Sequence, residues 1–422
     1  MLLSLYLIPL VMALMALRRP RELTGALIVL TYVFPLILLT MLSSPGYALP
    51  GAEISEETAN VARAALHLSQ FGFLTLLAAA GGGPLLVPRY LGLVAAVSVL
   101  GMAGSVLVTR GLALQTAGDG LARALLLAIQ AANVFLLIPH AASASGSAFF
   151  SGFARAFVNM ALGILVVAVI SFVVVGPYPE WAVRVGRPLN PRVLAEVLVL
   201  GLFLTQMSVG TRSSRAVFAF GILATGSRLS IAILSLYVGC RLWTRRDVAL
   251  RFVAIGVFGS GLAYILTSPL SYLLARTSIL AARWEIWRAG LRLLGPNWLW
   301  GTGERFVVAD PSGVFGVLRM HNSILESLLS HGIIFATAVL TVYLLLASRM
   351  YLRAVSRTDP DASRLFAAGR WIIATAIVET LFGTAVWTNL GDGISVAWMS
   401  FLSSAVVYLY IGKRVTIKPS SG

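Results

Sequence analysis

Long apolar runs separated by short polar breaks make up nearly the whole chain. The runs lie at 2–17, 23–42, 61–79, 90–109, 121–139, 157–175, 193–209, 215–227, 229–243, 250–268, 333–347, 371–388 and 394–411. A helix crossing a ~30 Å hydrocarbon core needs roughly 20 apolar residues. Only helices and closed barrels satisfy their backbone polar groups in lipid, and these run lengths fit helices. The first and eighth runs are short, so the pattern predicts an all-α polytopic integral membrane protein with about twelve transmembrane helices. It divides into an N-terminal helix bundle over 1–268, a long polar segment over 269–332 and C-terminal helices over 333–422.

Composition agrees. The 422 residues are 58% hydrophobic and 11% charged, with a mean hydropathy of +0.89. Soluble domains carry about a quarter charged residues. Soluble enzyme folds, disordered chains and nucleic-acid-binding modules are therefore excluded, despite a net charge of +16. No nucleic-acid partner is expected; membrane lipids are. Single Cys240 excludes a disulfide framework, and His67, His140, His321 and His331 are too scattered for a metal cluster. Arg18, Arg19 and Arg21 follow the first apolar run, whereas a cleaved signal carries its charges ahead of it, so that run reads as a retained helix.

All but two of the 32 basic residues are Arg, the exceptions being Lys413 and Lys418. Short cytoplasmic loops collect Lys and Arg. The clusters Arg241/Arg245/Arg246/Arg251 and Arg349/Arg353/Arg357/Arg364/Arg370, and the pair Lys413/Arg414, are thus assigned inside, with Arg18–Arg21. Segments 43–60, 176–192 and 269–332 then fall outside.

The outer segment 269–332 carries the candidate chemistry. It holds Arg276, Arg283, Arg288, Arg292, Arg305 and Arg319, against the usual charge trend. Long loops escape that trend; alternatively, these arginines meet an anionic ligand, because the guanidinium fork binds two phosphate oxygens at once. Over Ser278–Leu294 the helical period places Leu280, Trp284, Trp287, Leu291 and Leu294 on one stripe. Arg288 and Arg292 fall opposite, while Arg283 flanks the stripe and is the better ligand candidate. Gly301 and Gly303 could offer backbone N–H groups to an anion, but no Lys-Ser/Thr follows, and a plain turn is the simpler reading.

Ser323 and Glu326 have the spacing of a capping box, predicting a helix start beside His321. The helix dipole and nearby arginines disfavour imidazolium there, leaving a neutral ring able to accept a proton. An interface histidine without a role fits equally. Arg228, in Thr225-Gly-Ser-Arg228, lies at the outer end of a short span, at or below headgroup level. An arginine at that depth needs an anionic partner. Arg212 and Arg215, at the other end, read as inner-face anchors.

Taken in order, TGSR at 225–228, ARWEIW with PNWLWGTGERF at 282–306, and HNSILESLLSHG at 321–332 resemble the signature of the O-antigen ligase/polymerase superfamily. The resemblance covers about a quarter of the chain. It implies a GT-C-type glycosyltransferase of the bacterial inner membrane, with a periplasmic catalytic loop. Such a ligase moves a glycan from undecaprenyl pyrophosphate to a sugar hydroxyl of the lipid A–core, in lipopolysaccharide assembly. It implies inversion at the anomeric carbon, no cofactor and no metal. Carried over, His321 would be the general base, and Arg228 and Arg283, with Arg288 and Arg215 as further candidates, would bind the pyrophosphate. Asn322, Gly301 and Gly303 would support them. The chain has GTGERF where many relatives have an uncharged turn, which leaves that turn's role open. O-antigen polymerase and protein O-oligosaccharyltransferase share this machinery. A lipid-linked-glycan flippase would instead need ionisable residues within the helices, where few occur beyond Glu196 and Glu379.

Overall fold

The structure is a computed structural model. It describes residues 20–43, 54–80, 125–176, 189–207, 212–244, 247–266, 360–382 and 393–415. It also describes parts of 92–100, residue 122 and parts of 287–348. The expected span 2–17, and most of 90–109 and 333–347, lie outside the described residues.

The described chain is helical almost throughout: α1 (Pro20–Ile28), α2 (Phe34–Leu42), α3 (Glu56–Ala80), α4 (Ile138–Ser145), α5 (Ser147–Val175), α6 (Pro191–Leu204), α7 (Arg212–Thr225), α8 (Arg228–Trp243), α9 (Val248–Leu266), α10 (Pro360–Phe382) and α11 (Gly393–Val415). Val308–Ala309 and Val317–Leu318 form a two-residue antiparallel pair, β1 and β2. Leu23–Leu42, Glu57–Ala79, Leu125–Ser145 and Ser147–Val175 are long and apolar enough to cross a membrane. Val166, Val169, Ile170, Val173 and Val174 of α5 are exposed, an apolar face of the kind that lipid covers. The chain is an all-α membrane protein.

Two apolar stretches widen into π-helical turns, Val29–Val33 and Asn133–Leu137. In each case a proline follows two residues on, Pro35 and Pro139. Proline lacks the N–H that would bond the carbonyl four residues back, and its ring crowds that carbonyl. Wider turns just upstream let the helix continue instead of ending.

Helix α11 is buried on all sides over 393–407, as is most of α6, and together they form the centre. Lipid gives no hydrophobic drive for helix association, so close approach at small residues has to supply the contacts. A Cβ added at Gly25 would collide with the Phe149 carbonyl oxygen of α5. At Gly393 it would lie 2.7 Å from the Ile37 nitrogen, and at Gly201 2.9 Å from Phe218 Cζ. Phe150 and Phe153 of α5 meet Phe401 of α11 with ring centroids 5.7 and 5.9 Å apart.

Some expected boundaries need correction. The helix expected from 157 begins at Ser147, and the one expected from 371 begins at Pro360, so Arg364 and Arg370 are helical rather than in a loop. Hydropathy marks where a helix enters lipid; the backbone continues beyond that point wherever residues tolerate it. At α6 the start is sharp, because Asn190 caps Arg192 N at 2.9 Å and Pro191 opens the helix. Glu196, expected as a mid-span charge, lies in the second turn and pairs with Arg192 of the first at 3.0 Å.

Candidate functional site

Thr225 ends α7 and Arg228 begins α8. Between them Gly226 takes φ +60°, a conformation that makes so tight a reversal possible. The turn is tied down by its own hydroxyls. Thr225 Oγ1 donates to the Ile222 carbonyl at 2.7 Å and accepts from Ser227 N at 3.3 Å. Ser227 and Ser230 hydroxyls lie 3.1 Å apart and are buried. Arg228 therefore starts a helix whose free N–H groups and dipole already favour an anion.

Arg215 sits in the first turn of α7, with Nε donating to Thr205 Oγ1 at 3.1 Å. The ten residues from Arg215 to Thr225 span ~15 Å of helix. Arg215 is thus held at the end of α7 remote from Arg228, as an anchor would be. Arg288 is helical and exposed. Beside it, Trp287 and Leu294 are half-buried, but Leu291 is 46% exposed and Gly290 is buried. The inward face of that helix therefore passes through Gly290, rotated from the stripe expected through Leu291.

The late motifs meet. The Ile333 N–H donates to the Trp298 carbonyl at 3.0 Å. Gly332 has φ +77°, and a Cβ there would run into the Leu299 carbonyl. Gly301, at φ +74° and buried, closes the Trp298–Trp300 turn. The glycines of the second and third motifs thus let two backbones pack directly.

Asn322 is 8% exposed and caps the helix described from 324 onward, accepting from Leu325 N at 3.0 Å. The Glu326 N–H goes to the Asn322 carbonyl at 2.9 Å. Asn322 is thus a cap that sequence reasoning passed over, its side-chain oxygen reaching an N–H of the first turn. The expected Ser323–Glu326 box rests on Ser323, which lies outside the described residues. At the other end His331 meets Phe335 edge to face, centroids 4.8 Å apart, and burial pushes its imidazole down to about 4. His321, Arg283 and Gly303 lie outside the described residues, and of Arg228 the backbone alone is described.

Sequence reasoning missed a second polar centre. Tyr32, in the first π-turn, places its hydroxyl 2.6 Å from His67 Nδ1 of α3. Asn133, opening the second π-turn, donates to the His67 carbonyl at 3.0 Å. All three are 0% exposed. His67 Nε2, Gln70 Nε2 and Asn133 Oδ1 remain buried without a hydrogen-bond partner among the described residues. The available signal was a proline shortly after a polar residue inside an apolar run.

No family model matches the chain, and no curated protein does.

Proposed function

We propose that this chain is an O-antigen ligase, a GT-C-type glycosyltransferase of the bacterial inner membrane. About twelve helices would cross the membrane, and segment 269–332 would face the periplasm. The observation that carries this reading is the ordered set of three motifs, of which the second and third pack backbone to backbone at Leu299 and Gly332. Asn322, as a buried cap, fixes the residue after His321.

The donor is an undecaprenyl pyrophosphate-linked glycan and the acceptor a sugar hydroxyl of lipid A–core. His321 takes the hydroxyl proton as the oxygen attacks the anomeric carbon. The anomeric C–O bond to the pyrophosphate breaks with inversion, and the pyrophosphate leaves carrying the bonding pair. Arg228 and Arg283 stabilise that charge, which fixed cations in a partly dry site do strongly. A positioned base contributes typically ~10²–10⁴-fold. Arg288, exposed at the edge of the segment, is suited to first contact with the donor, and Arg215 to anchoring α7.

The test is a transfer assay with purified full-length protein, lipid-linked O-antigen and lipid A–core. Capped lipopolysaccharide as product supports the ligase reading. Extension of the lipid-linked glycan makes the chain a polymerase, and a glycosylated protein substrate makes it an O-oligosaccharyltransferase. Donor moved across vesicle membranes without bond cleavage makes it a flippase.

A further inference from the structure

A groove of about 790 Å³ opens along the seam between α5 and the α1–α2 stretch, within the ~300–1,000 Å³ range of small-molecule sites. Its walls include Leu30, Phe34, Met160, Ile164 and Val167, with Gly163 forming the hollow. Two polar side chains line it, Arg155 and Asn159. They are four residues apart, so they share one helix face. Both are exposed, and neither makes a hydrogen bond or ion pair among the described residues.

Depth follows from length. From Arg155 to Val175, where α5 ends, twenty residues rise ~30 Å, the full hydrocarbon thickness. If the exposed valines at that end mark one boundary, Arg155 lies at the other, level with the headgroups. Asn159 lies ~6 Å deeper, level with the glycerol esters of a phospholipid. From Arg155 to Val167 the groove runs ~18 Å, slightly more than one leaflet of that core.

We propose that this groove binds an anionic glycerophospholipid. Arg155 holds the headgroup phosphate, the Asn159 amide donates to an ester oxygen, and one acyl chain lies between α5 and the α1–α2 stretch. A second copy of the chain is disfavoured as occupant, because it would have to bring a carboxylate to Arg155, and the same face of a symmetric partner presents another arginine. This site is independent of the transferase reading: its residues belong to α1, α2 and α5 rather than to the late segment.

The test is native mass spectrometry of the full-length protein in detergent, titrated with phosphatidylglycerol or phosphatidylcholine. Wild type should retain phosphatidylglycerol more strongly. A lysine or arginine near an anionic surface is worth ~1 kcal/mol, so Arg155→Gln should bind phosphatidylglycerol about five-fold more weakly. That variant should bind phosphatidylcholine as wild type does, and Arg155→Lys should restore the preference. A Cβ at Gly163 meets nothing within 4 Å, so Gly163→Leu fills the groove without disturbing the helix and should weaken both lipids. Equal retention of the two lipids by wild type would overturn the proposal, as would unchanged binding in both variants. A dimer blocked by Gly163→Leu, with lipid binding unchanged, would assign the groove to a second copy instead.

Discussion

In the bundle core, His67 is enclosed by three helical stretches and held by the Tyr32 hydroxyl at 2.6 Å and the Asn133 amide at 3.0 Å. In the late segment, His331 packs edge to face on Phe335 beside the Gly332 backbone contact, and its Nδ1 is buried without a hydrogen-bond partner among the described residues. The core positions its polar groups through side-chain bonds between long elements. The late segment uses backbone geometry instead: Gly301 and Gly332 at positive φ, and one asparagine cap. A site built that way depends on single residues whose replacement leaves most of the bundle untouched. The core spreads the same load over many contacts, so local changes there should register as stability.

The sharpest way to break this contrast is Gly332→Ala. The new Cβ runs into the Leu299 carbonyl at a backbone angle L residues rarely adopt, so the two motifs must separate. A misplacement of ~1 Å can cost ~10²-fold in rate. Transfer should fall by about that factor, with the thermal unfolding midpoint of the bundle little changed. Equal losses in both would show that the late segment and the bundle are one unit.

The reverse is expected for Gly25→Leu. Its side chain would be driven into α5 at Phe149, and overpacking of this kind costs ~1–3 kcal/mol. Thermal unfolding in detergent should register it as a lower midpoint. Tyr32→Phe is milder: it leaves His67 Nδ1 buried without its partner, a loss of ~1–3 kcal/mol with transfer retained in the surviving protein. Asn322→Ala removes a cap worth ~1 kcal/mol. Transfer should drop while Asn322→Asp, which can still cap, restores it.

A further expected effect is a pH slope. His331 is pushed down to about 4 in the folded chain, whereas the unfolded ring titrates near 6.5. Between those values the unfolded state binds more protons. Stability is therefore full above about 6.5 and is lost as pH falls towards 4. Hydrogen exchange over 324–337 should quicken through that window in wild type and not in His331→Gln.

What the sequence disclosed follows the same division. The span over 23–42 was legible because a continuous apolar run has one interpretation in lipid. The start of α5 at Ser147 was not, since Ser151, Gly152 and Arg155 are helical without being apolar. Both π-turns escaped a search at helical period, although Pro35 and Pro139 announced them. The Asn322 cap was passed over because Asn and Ser cap by the same bond and stand side by side at 322–323. Packing of Trp298 and Leu299 on Gly332 is a long-range backbone contact, which no local pattern encodes. Motif order could suggest that these segments belong together, but only their geometry shows where they touch.

The central claim rests on His321 as the base, separate from the arginines that hold the donor. Its most direct test measures donor binding and glycan transfer side by side for wild type and His321→Ala. The account predicts unchanged affinity for the pyrophosphate-linked donor and transfer reduced by ~10²-fold or more. Transfer by His321→Ala at the wild-type rate would contradict it, leaving the histidine as a residue at a helix end and the base elsewhere.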